Sequence, residues 1–155
     1  MVFSLGERRR CCTFAGPRFT LFQTLILRLF AMKILLVLNS RIPTSNYDDA
    51  ERVLWWQARQ LHEMGHEPVI LVKPGSVCDF APVLVLDEKK VLAGQVPEGV
   101  DIVHFFYRPA AKSLSEFSKP YLITNFDNST KADTFDPNTV FLSANHAARH
   151  GAEVY

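Results

Sequence analysis

The sequence of 155 residues lacks the features that would assign it at once to several classes of protein. Its three cysteines, two of them adjacent, are too few for a disulfide framework, so a reduced, cytoplasmic setting is the simplest interpretation. No apolar run is long and uninterrupted enough to predict a membrane-spanning helix. The sequence also contains no P-loop, no G-x-G-x-x-G, no nucleophile elbow, no paired-cysteine zinc motif and no internal repeat.

The net charge of +1 is small, but it is unevenly distributed. Residues 1–31 carry five arginines and one glutamate, a charge of +4, so the remaining residues carry a charge of −3. A mildly acidic folded part argues against nucleic acid as its main partner. With 48% hydrophobic residues, the chain has enough apolar material for one domain with a core.

The most informative stretch is residues 32–65, which predicts a strand, a polar loop and an amphipathic helix. The strand, residues 33–39, is continuously apolar, as is typical of a parallel strand covered by helices on both faces. We expect the helix to begin near Asp48, with Glu51 completing a capping box, and to stop at Gly65 in the left-handed conformation. Its predicted buried stripe, with Trp55 and Trp56 on the flanks, is Ala50, Val53, Leu54, Ala58, Leu61 and Met64.

Strands and helices continue to alternate along the chain, which predicts an α/β fold with a Rossmann-like parallel sheet and helices on both faces. Further strands are expected at residues 67–72, 81–86, 100–106, 121–124 and 139–142. Helices are expected at residues 87–93, at 109–118 with Pro109 in the first position, and at 143–150 with Ser143 as the cap. Residues 125–138 carry no predicted secondary structure.

Residues 1–31 are expected to lie outside this fold, and residues 32–155 form the predicted domain. Three interpretations of the first segment remain open. It is an upstream start or an unfolded leader before Met32, a helix that lies on a membrane surface, or a cleaved targeting peptide. The second interpretation would make the protein peripheral to the membrane, and the apolar face of such a helix would be Phe22, Leu25, Ile26 and Leu29.

Four segments of the predicted domain occur in an order that is typical of one enzyme family. They are Ile42-Pro43 with Tyr47 and Glu51-Arg52-Val53, then Gly65-His66-Glu67, Asp101-Ile102-Val103-His104, and residues 141–151, FLSANHAARHG. In these segments residues 32–155 resemble the N-terminal domain of the GT-B-fold glycosyltransferases of family 4.

The resemblance implies transfer of a sugar from a nucleotide-sugar donor to a sugar or lipid-linked acceptor, across a cleft between two Rossmann-like domains. This chain would be the acceptor-side domain, truncated, and the donor would be held by a missing C-terminal domain. The resemblance implies no cofactor and no protein nucleophile, because the donor phosphate and positioned cleft groups carry the reaction.

The sequence departs from the family pattern at three places. Asp48 and Asp49 stand in the positions of two glycines, and Phe106 and Phe126 replace two histidines. The two aspartates and Glu51 outweigh the positive end of the helix dipole, so the first loop is better suited to neutral hydroxyls than to phosphate. The alternative is that the aspartates only cap the helix.

Polar residues near the predicted carboxyl ends of the strands are the candidates for acceptor binding. Arg108 could hold a carboxylate or a phosphate, or could only extend into solvent. Asn128, with Asn125 and Asp127, could bind sugar hydroxyls or could only form a turn. The full set of candidates is Arg41, Asp49, Glu51, Tyr107, Arg108 and Asn128.

Three histidines have simpler expected roles. His104 lies inside a predicted strand and is expected to be structural, with its ring bonded to the backbone or a neighbouring loop. His146 and His150 share one helix face and are expected to form a polar lip toward the cleft. They lack the third ligand and the intervening glutamate of a zinc motif, so no metal site is predicted.

Three hypotheses about function follow. The chain is the acceptor-side domain of a sugar-transferring enzyme, or a catalytically inactive fragment or sugar- or nucleotide-binding module, or an unrelated nucleotide-binding α/β domain. The departures at Asp48, Asp49, Phe106 and Phe126 favour the second hypothesis over independent catalysis by this chain.

Overall fold

The structure is a computed structural model that describes residues 31–43, 49–128 and 134–152. The predicted leader, apart from Ala31, lies outside these residues, as do Tyr47 and the predicted cap Asp48. The elements in chain order are β1 (Lys33–Val37), α1 (Asp49–Glu63), β2 (Glu67–Val72), β3 (Val83–Val85), a 3-10 helix (Leu92–Gln95), β4 (Ile102–Phe105), α2 (Ala111–Ser115), β5 (Tyr121–Asn125), β6 (Thr139–Phe141) and α3 (Ala144–Arg149).

The six strands form one sheet in the order β3-β2-β1-β4-β5-β6, and every neighbouring pair is parallel. Each strand overlaps its predicted range, and the α/β, Rossmann-like fold class is confirmed. In register, Leu35 of β1 lies between Val69 of β2 and Val103 of β4. The strand order reverses between β1 and β4, which makes their carboxyl ends the switch point of the sheet.

The continuous apolar strands are explained by two core clusters on opposite faces of the sheet. Leu35 and Val37 of β1 belong to the cluster that packs under the 3-10 helix and α2. Ile34 and Leu36 belong to the cluster that packs under α1. Because side chains alternate between the faces of a strand, a strand covered on both sides requires apolar residues at every position.

The buried face of α1 differs from the predicted stripe. Glu51, Leu54 and Ala58 are buried, whereas Val53 is 41% exposed and Met64 is 62% exposed, so the prediction was wrong for these last two. The physical reason is that the face that packs on the sheet consists of Glu51, Leu54 and Ala58, and at about 100° per residue Val53 and Met64 lie outside it. The predicted end of the helix is confirmed, because Gly65 has a φ of +88°.

Two other predicted helices are corrected. Residues 87–93 form turns followed by the 3-10 helix, because the Gln95 side chain bonds the backbone of Asp87 on both its N–H and its carbonyl. Pro109 is not the first residue of α2, which begins at Ala111 after an extended Ala110. The predicted cap of α3 is confirmed, since Ser143 Oγ accepts a hydrogen bond of 3.1 Å from His146 N.

Candidate functional site

The carboxyl edge of the sheet is where a ligand is expected in a parallel α/β fold. Arg41 lies on the loop after β1, Asp49 and Glu51 lie in the first turn of α1, and this loop and helix follow one another on one side of the switch point. The remaining candidates, Tyr107, Arg108 and Asn128, follow β4 and β5. All of them therefore lie at one edge of the sheet, but Tyr107, Arg108 and Asp49 line three different cavities.

Glu51 is a buried carboxylate in the first turn of α1. It is 9% exposed, its Oε1 accepts a hydrogen bond from the Ser40 hydroxyl, and its Oε2 is buried with no hydrogen-bond partner among the residues that the structure describes. The predicted capping box would bond this carboxylate to the amide of Asp48, which lies outside the described residues, so the capping box stays a prediction. A buried carboxylate oxygen without a donor is costly, so the Ser40–Glu51 pair is a place for a hydrogen-bond donor.

The neighbours of this pair come from the ends of β1 and β2. Ser40 O accepts a hydrogen bond of 3.0 Å from Lys73 N, and Ser76 Oγ accepts one of 3.0 Å from Ile42 N. Arg41 is exposed beside the turn after β2. Its side chain lies against that turn, since a Cβ added at Gly75 would be 3.9 Å from the Arg41 Nε. The two loops are thus tied together, and this positions Ser40 under the first turn of α1.

Tyr107 lines a cavity of about 520 Å³ at the switch point, together with Asn39 from the end of β1. Asp87 and Lys112 lie on its other walls. Burial raises the pKa of Tyr107, so its hydroxyl stays protonated and able to donate at neutral pH. This cavity, called the switch-point cavity below, presents hydrogen-bonding groups of both kinds to a polar ligand.

Arg108 follows Tyr107 in the sequence but points into a different region. Its Nη2 donates a hydrogen bond of 2.6 Å to the carbonyl of Thr134, and its guanidinium lies 4.9 Å from the centroid of the Phe135 ring. It lines a second cavity, of about 550 Å³, with Tyr121 and Asp136. Arg108 therefore holds the chain just before β6, and it does not face the Ser40–Glu51 pair through these contacts.

The loop after β5 contains the turn that the sequence left open as an alternative. Asn125 Oδ1 accepts a hydrogen bond of 3.1 Å from Asp127 N, which is an Asx turn, and Asn128 is exposed just after it. The carbonyl of Asp127 lies 2.7 Å from His146 Nε2 and 2.9 Å from His150 Nε2. Both rings hold this loop onto α3.

The two histidines of α3 correct an expectation. They were predicted to form a polar lip, but His146 is 6% exposed and His150 is 4% exposed. Their rings lie 5.0 Å apart and pack edge-on, and both contact Phe141 at the end of β6. Aromatic packing and the shared carbonyl hydrogen bond give them a structural role.

Phe106 and Phe126 occupy the positions at which the resembled enzymes carry histidines. Phe106 is 2% exposed, and its ring is stacked on Phe126 with centroids 6.3 Å apart and planes at 23°. Phe106 also lies 4.3 Å from the His104 ring. The two positions thus form an aromatic contact under α1, and neither provides a group that can move a proton.

His104 has the structural role that was predicted, although its partners are side chains of other elements. Its Nε2 lies 2.7 Å from Thr124 Oγ1 of β5, and its Nδ1 lies 3.2 Å from Gln57 Nε2 of α1. Since a carboxamide nitrogen only donates, Nδ1 is the acceptor and Nε2 carries the proton. Desolvation by burial lowers the pKa of His104 from 6.5 to about 4, so the ring is neutral at pH 7.

Several residues at or near this edge were not among the candidates predicted from the sequence. Ser40 and Asn39 directly follow the first predicted strand, and this position at the carboxyl end of a central strand was the signal that could have identified them. Lys112 gave no such signal, because only the position of α2 brings it to the switch-point cavity. Thr124 and Gln57 could be paired with His104 only once the strand order was known.

The described residues form neither a metal-binding cluster nor a membrane-spanning helix. Nowhere in residues 31–43, 49–128 and 134–152 do three or more His, Cys, Asp or Glu side chains come together in a group that could hold a metal ion. In the same ranges, no helix combines the length and the apolar character that crossing a membrane requires.

Comparison with known proteins identified no relative of this chain. No protein-family model, curated protein or solved structure matches the chain. A function for the chain therefore has to be argued from its own residues.

Proposed function

We propose that this chain is the acceptor-side domain of a GT-B-type glycosyltransferase and that the Ser40–Glu51 pair binds a hydroxyl group of the sugar acceptor. The observation that carries the proposal is the buried Glu51 Oε2 in the first turn of α1, which finds no hydrogen-bond donor within the described part of the chain. A carboxylate oxygen only accepts, and a sugar hydroxyl is a donor that matches it. A hydrogen bond to a charged group contributes about 1.5–3 kcal/mol.

The charges around this pair favour a neutral ligand over a phosphate. Asp49 and Glu51 are both in the first turn of α1, and together they outweigh the roughly half positive charge of the helix terminus. A phosphate about 4 Å from one carboxylate would be repelled by about 1–4 kcal/mol. In this proposal the nucleotide-sugar donor is accordingly held by a separate C-terminal domain, and this chain orients the acceptor.

A second candidate function is a sugar-binding module without catalysis. It is favoured by the buried Phe106 and its contact with Phe126, at the two positions where the resembled enzymes carry histidines. Binding through the Ser40–Glu51 pair does not require either position. The two candidates therefore share the same ligand and differ only in whether sugar transfer follows.

Substitution Glu51→Gln tests the binding that both candidates share. The amide keeps the acceptor oxygen for Ser40 but loses the charge, so we expect the affinity for a sugar acceptor analogue such as methyl glucoside, measured by calorimetry or NMR titration, to fall about tenfold or more. The matched control is Glu67→Gln, which removes an exposed carboxylate at the start of β2, away from the pair and from the carboxyl edge of the sheet. Equal affinities of the wild type and both variants would contradict the proposal.

Transfer assays separate the two candidates. The purified chain is incubated with common nucleotide sugars and the acceptor, alone and with a separately expressed C-terminal GT-B domain. We expect no transfer by the chain alone, and transfer when the second domain is added identifies the enzyme. Sugar binding without transfer in either case identifies the binding module, whereas nucleotide binding that is insensitive to sugars would mark an unrelated nucleotide-binding domain.

A further inference from the structure

A groove between α1 and the carboxyl ends of β5 and β6 is separate from the Ser40–Glu51 pair and has no assigned role. It has a volume of about 640 Å³. Its apolar walls include Trp56, which is 57% exposed, Leu142, which is 54% exposed, and Val53, which is 41% exposed. Together these side chains give the groove an apolar lining that a ligand can cover. We call it the Trp56 groove.

The floor of the Trp56 groove is held in place by the core. Phe126 lines the groove and stacks on the buried Phe106. Gln57, another lining residue, is tied through its Nε2 to His104 Nδ1 at 3.2 Å. The groove is therefore formed before any ligand arrives, which is the usual condition of small-molecule sites.

Beside its apolar surface the groove carries the amide side chains of Gln57 and Gln60 and the charged side chains of Asp49 and Arg52. Gln57 Nε2 bonds His104 and Gln60 Nε2 bonds Glu63, so the carbonyl oxygens of the two amides remain for a ligand. Asp49 and Arg52 contribute one charge of each sign, so the charges of the lining residues that the structure describes cancel. A matching ligand is neutral, has one apolar face and carries hydroxyl donors at its edge.

We propose that the Trp56 groove binds one pyranose ring of a neutral saccharide, with the C–H face of the ring on the Trp56 indole and its hydroxyls directed to Gln57 and Gln60. An indole offers a large, rigid apolar face beside polar neighbours, which suits such a ring. An alkyl chain would leave the amide oxygens without donors. The inference rests on the proposed function in that it names an oligosaccharide as the acceptor class.

The test is the fluorescence of the two tryptophans of the full chain during titration with maltotriose, cellotriose and chitotriose. Trp55→Phe removes the half-buried indole that packs on Phe80 at 5.1 Å and leaves Trp56 as the reporter. We expect at least one trisaccharide to shift the Trp56 emission with saturation in the wild type and in Trp55→Phe. Trp56→Ala, at an exposed position where the fold is retained, is expected to weaken calorimetric binding at least tenfold.

The outcomes separate this inference from the proposed function. Binding that depends on Trp56 but is unchanged in Glu51→Gln, with no transfer, supports the groove and rejects the proposed acceptor site. Binding that depends on Glu51 and is unchanged in Trp56→Ala overturns the groove and leaves the proposed function standing. No response to any trisaccharide also overturns the groove. So does a response to octyl glucoside alone, which would indicate an alkyl ligand, or a Trp56-dependent dimer in sedimentation, which would indicate a second copy.

Discussion

At the scale of the residue, His104 shows how a polar side chain is kept inside an apolar sheet. It lies on the α1 face of β4, and its two ring nitrogens are matched by Thr124 on β5 and by Gln57 on α1. Both nitrogens are satisfied only in the neutral Nε2–H form, because a proton on Nδ1 would face the amide nitrogen of Gln57. The ring thus links β4, β5 and α1, and its burial lowers its pKa.

The lowered pKa of His104 predicts a specific loss of stability in acid. The unfolded state takes up the proton near pH 6.5 and the folded state only near pH 4, so the unfolded state binds more protons between these values. The contribution is complete above pH 6.5 and is lost as the pH falls to 4, a change on the order of 3 kcal/mol in the free energy of unfolding.

Urea unfolding at a series of pH values from 7.5 to 4, compared between the wild type and His104→Gln, measures this contribution. Glutamine keeps a donor and an acceptor but does not titrate, so we expect its stability to fall less steeply over this range. If the two proteins lose stability in parallel, His104 is not the titrating group.

At the scale of the element, local sequence predicts that α1 forms and where it ends, whereas packing decides which face of the helix is buried. Its existence and its end follow from helix-forming residues, acidic side chains in the first turn and Gly65. Its rotation does not, because Val53 and Leu54 are both apolar and only the packing of the helix on the sheet decides which of them is buried. The stripe predicted from periodicity was correct at Leu54 and Ala58 and wrong at Val53 and Met64.

A pair of neighbouring alanine substitutions measures the rotation of α1. Leu54 is 0% exposed, so Leu54→Ala is expected to lower the free energy of unfolding by about 2–5 kcal/mol. Val53 is 41% exposed, so Val53→Ala is expected to change it by no more than about 0.5 kcal/mol. Urea denaturation of both variants decides the point, and similar losses in the two would mean that Val53 faces the core.

At the scale of the whole molecule, the sheet order distributes stability unequally. β1 and β4 are flanked by strands on both sides, and residues such as Leu35, Leu36 and Val37 are 0% exposed. β3 is an edge strand of three residues that pairs only with β2, and its Val85 is 60% exposed. Local opening is therefore expected at the β3 edge and not at the centre.

Native-state hydrogen exchange followed by NMR or mass spectrometry checks this distribution. We expect the amides of Lys33–Val37 to exchange only through global unfolding and those of Val83–Val85 to exchange at least tenfold faster through local opening. The other edge strand, Thr139–Phe141, is an internal comparison and is expected to behave like β3. Equal protection of the first two strands would show that the sheet opens as one unit.

The sequence by itself determined the strands, their parallel pairing and the acidic first turn of α1, because local periodicity, capping residues and turn residues specify these features. It also placed Arg41, Tyr107, Arg108 and Asn128 after strands, and Asp49 and Glu51 at the start of α1. Only the tertiary structure decided that Glu51 turns inward to Ser40, that Arg108 turns to the chain before β6 and that Trp56 and Phe126 line one groove. The physical reason is that the direction of a side chain depends on residues distant in sequence, whose positions exist only once the six strands are ordered.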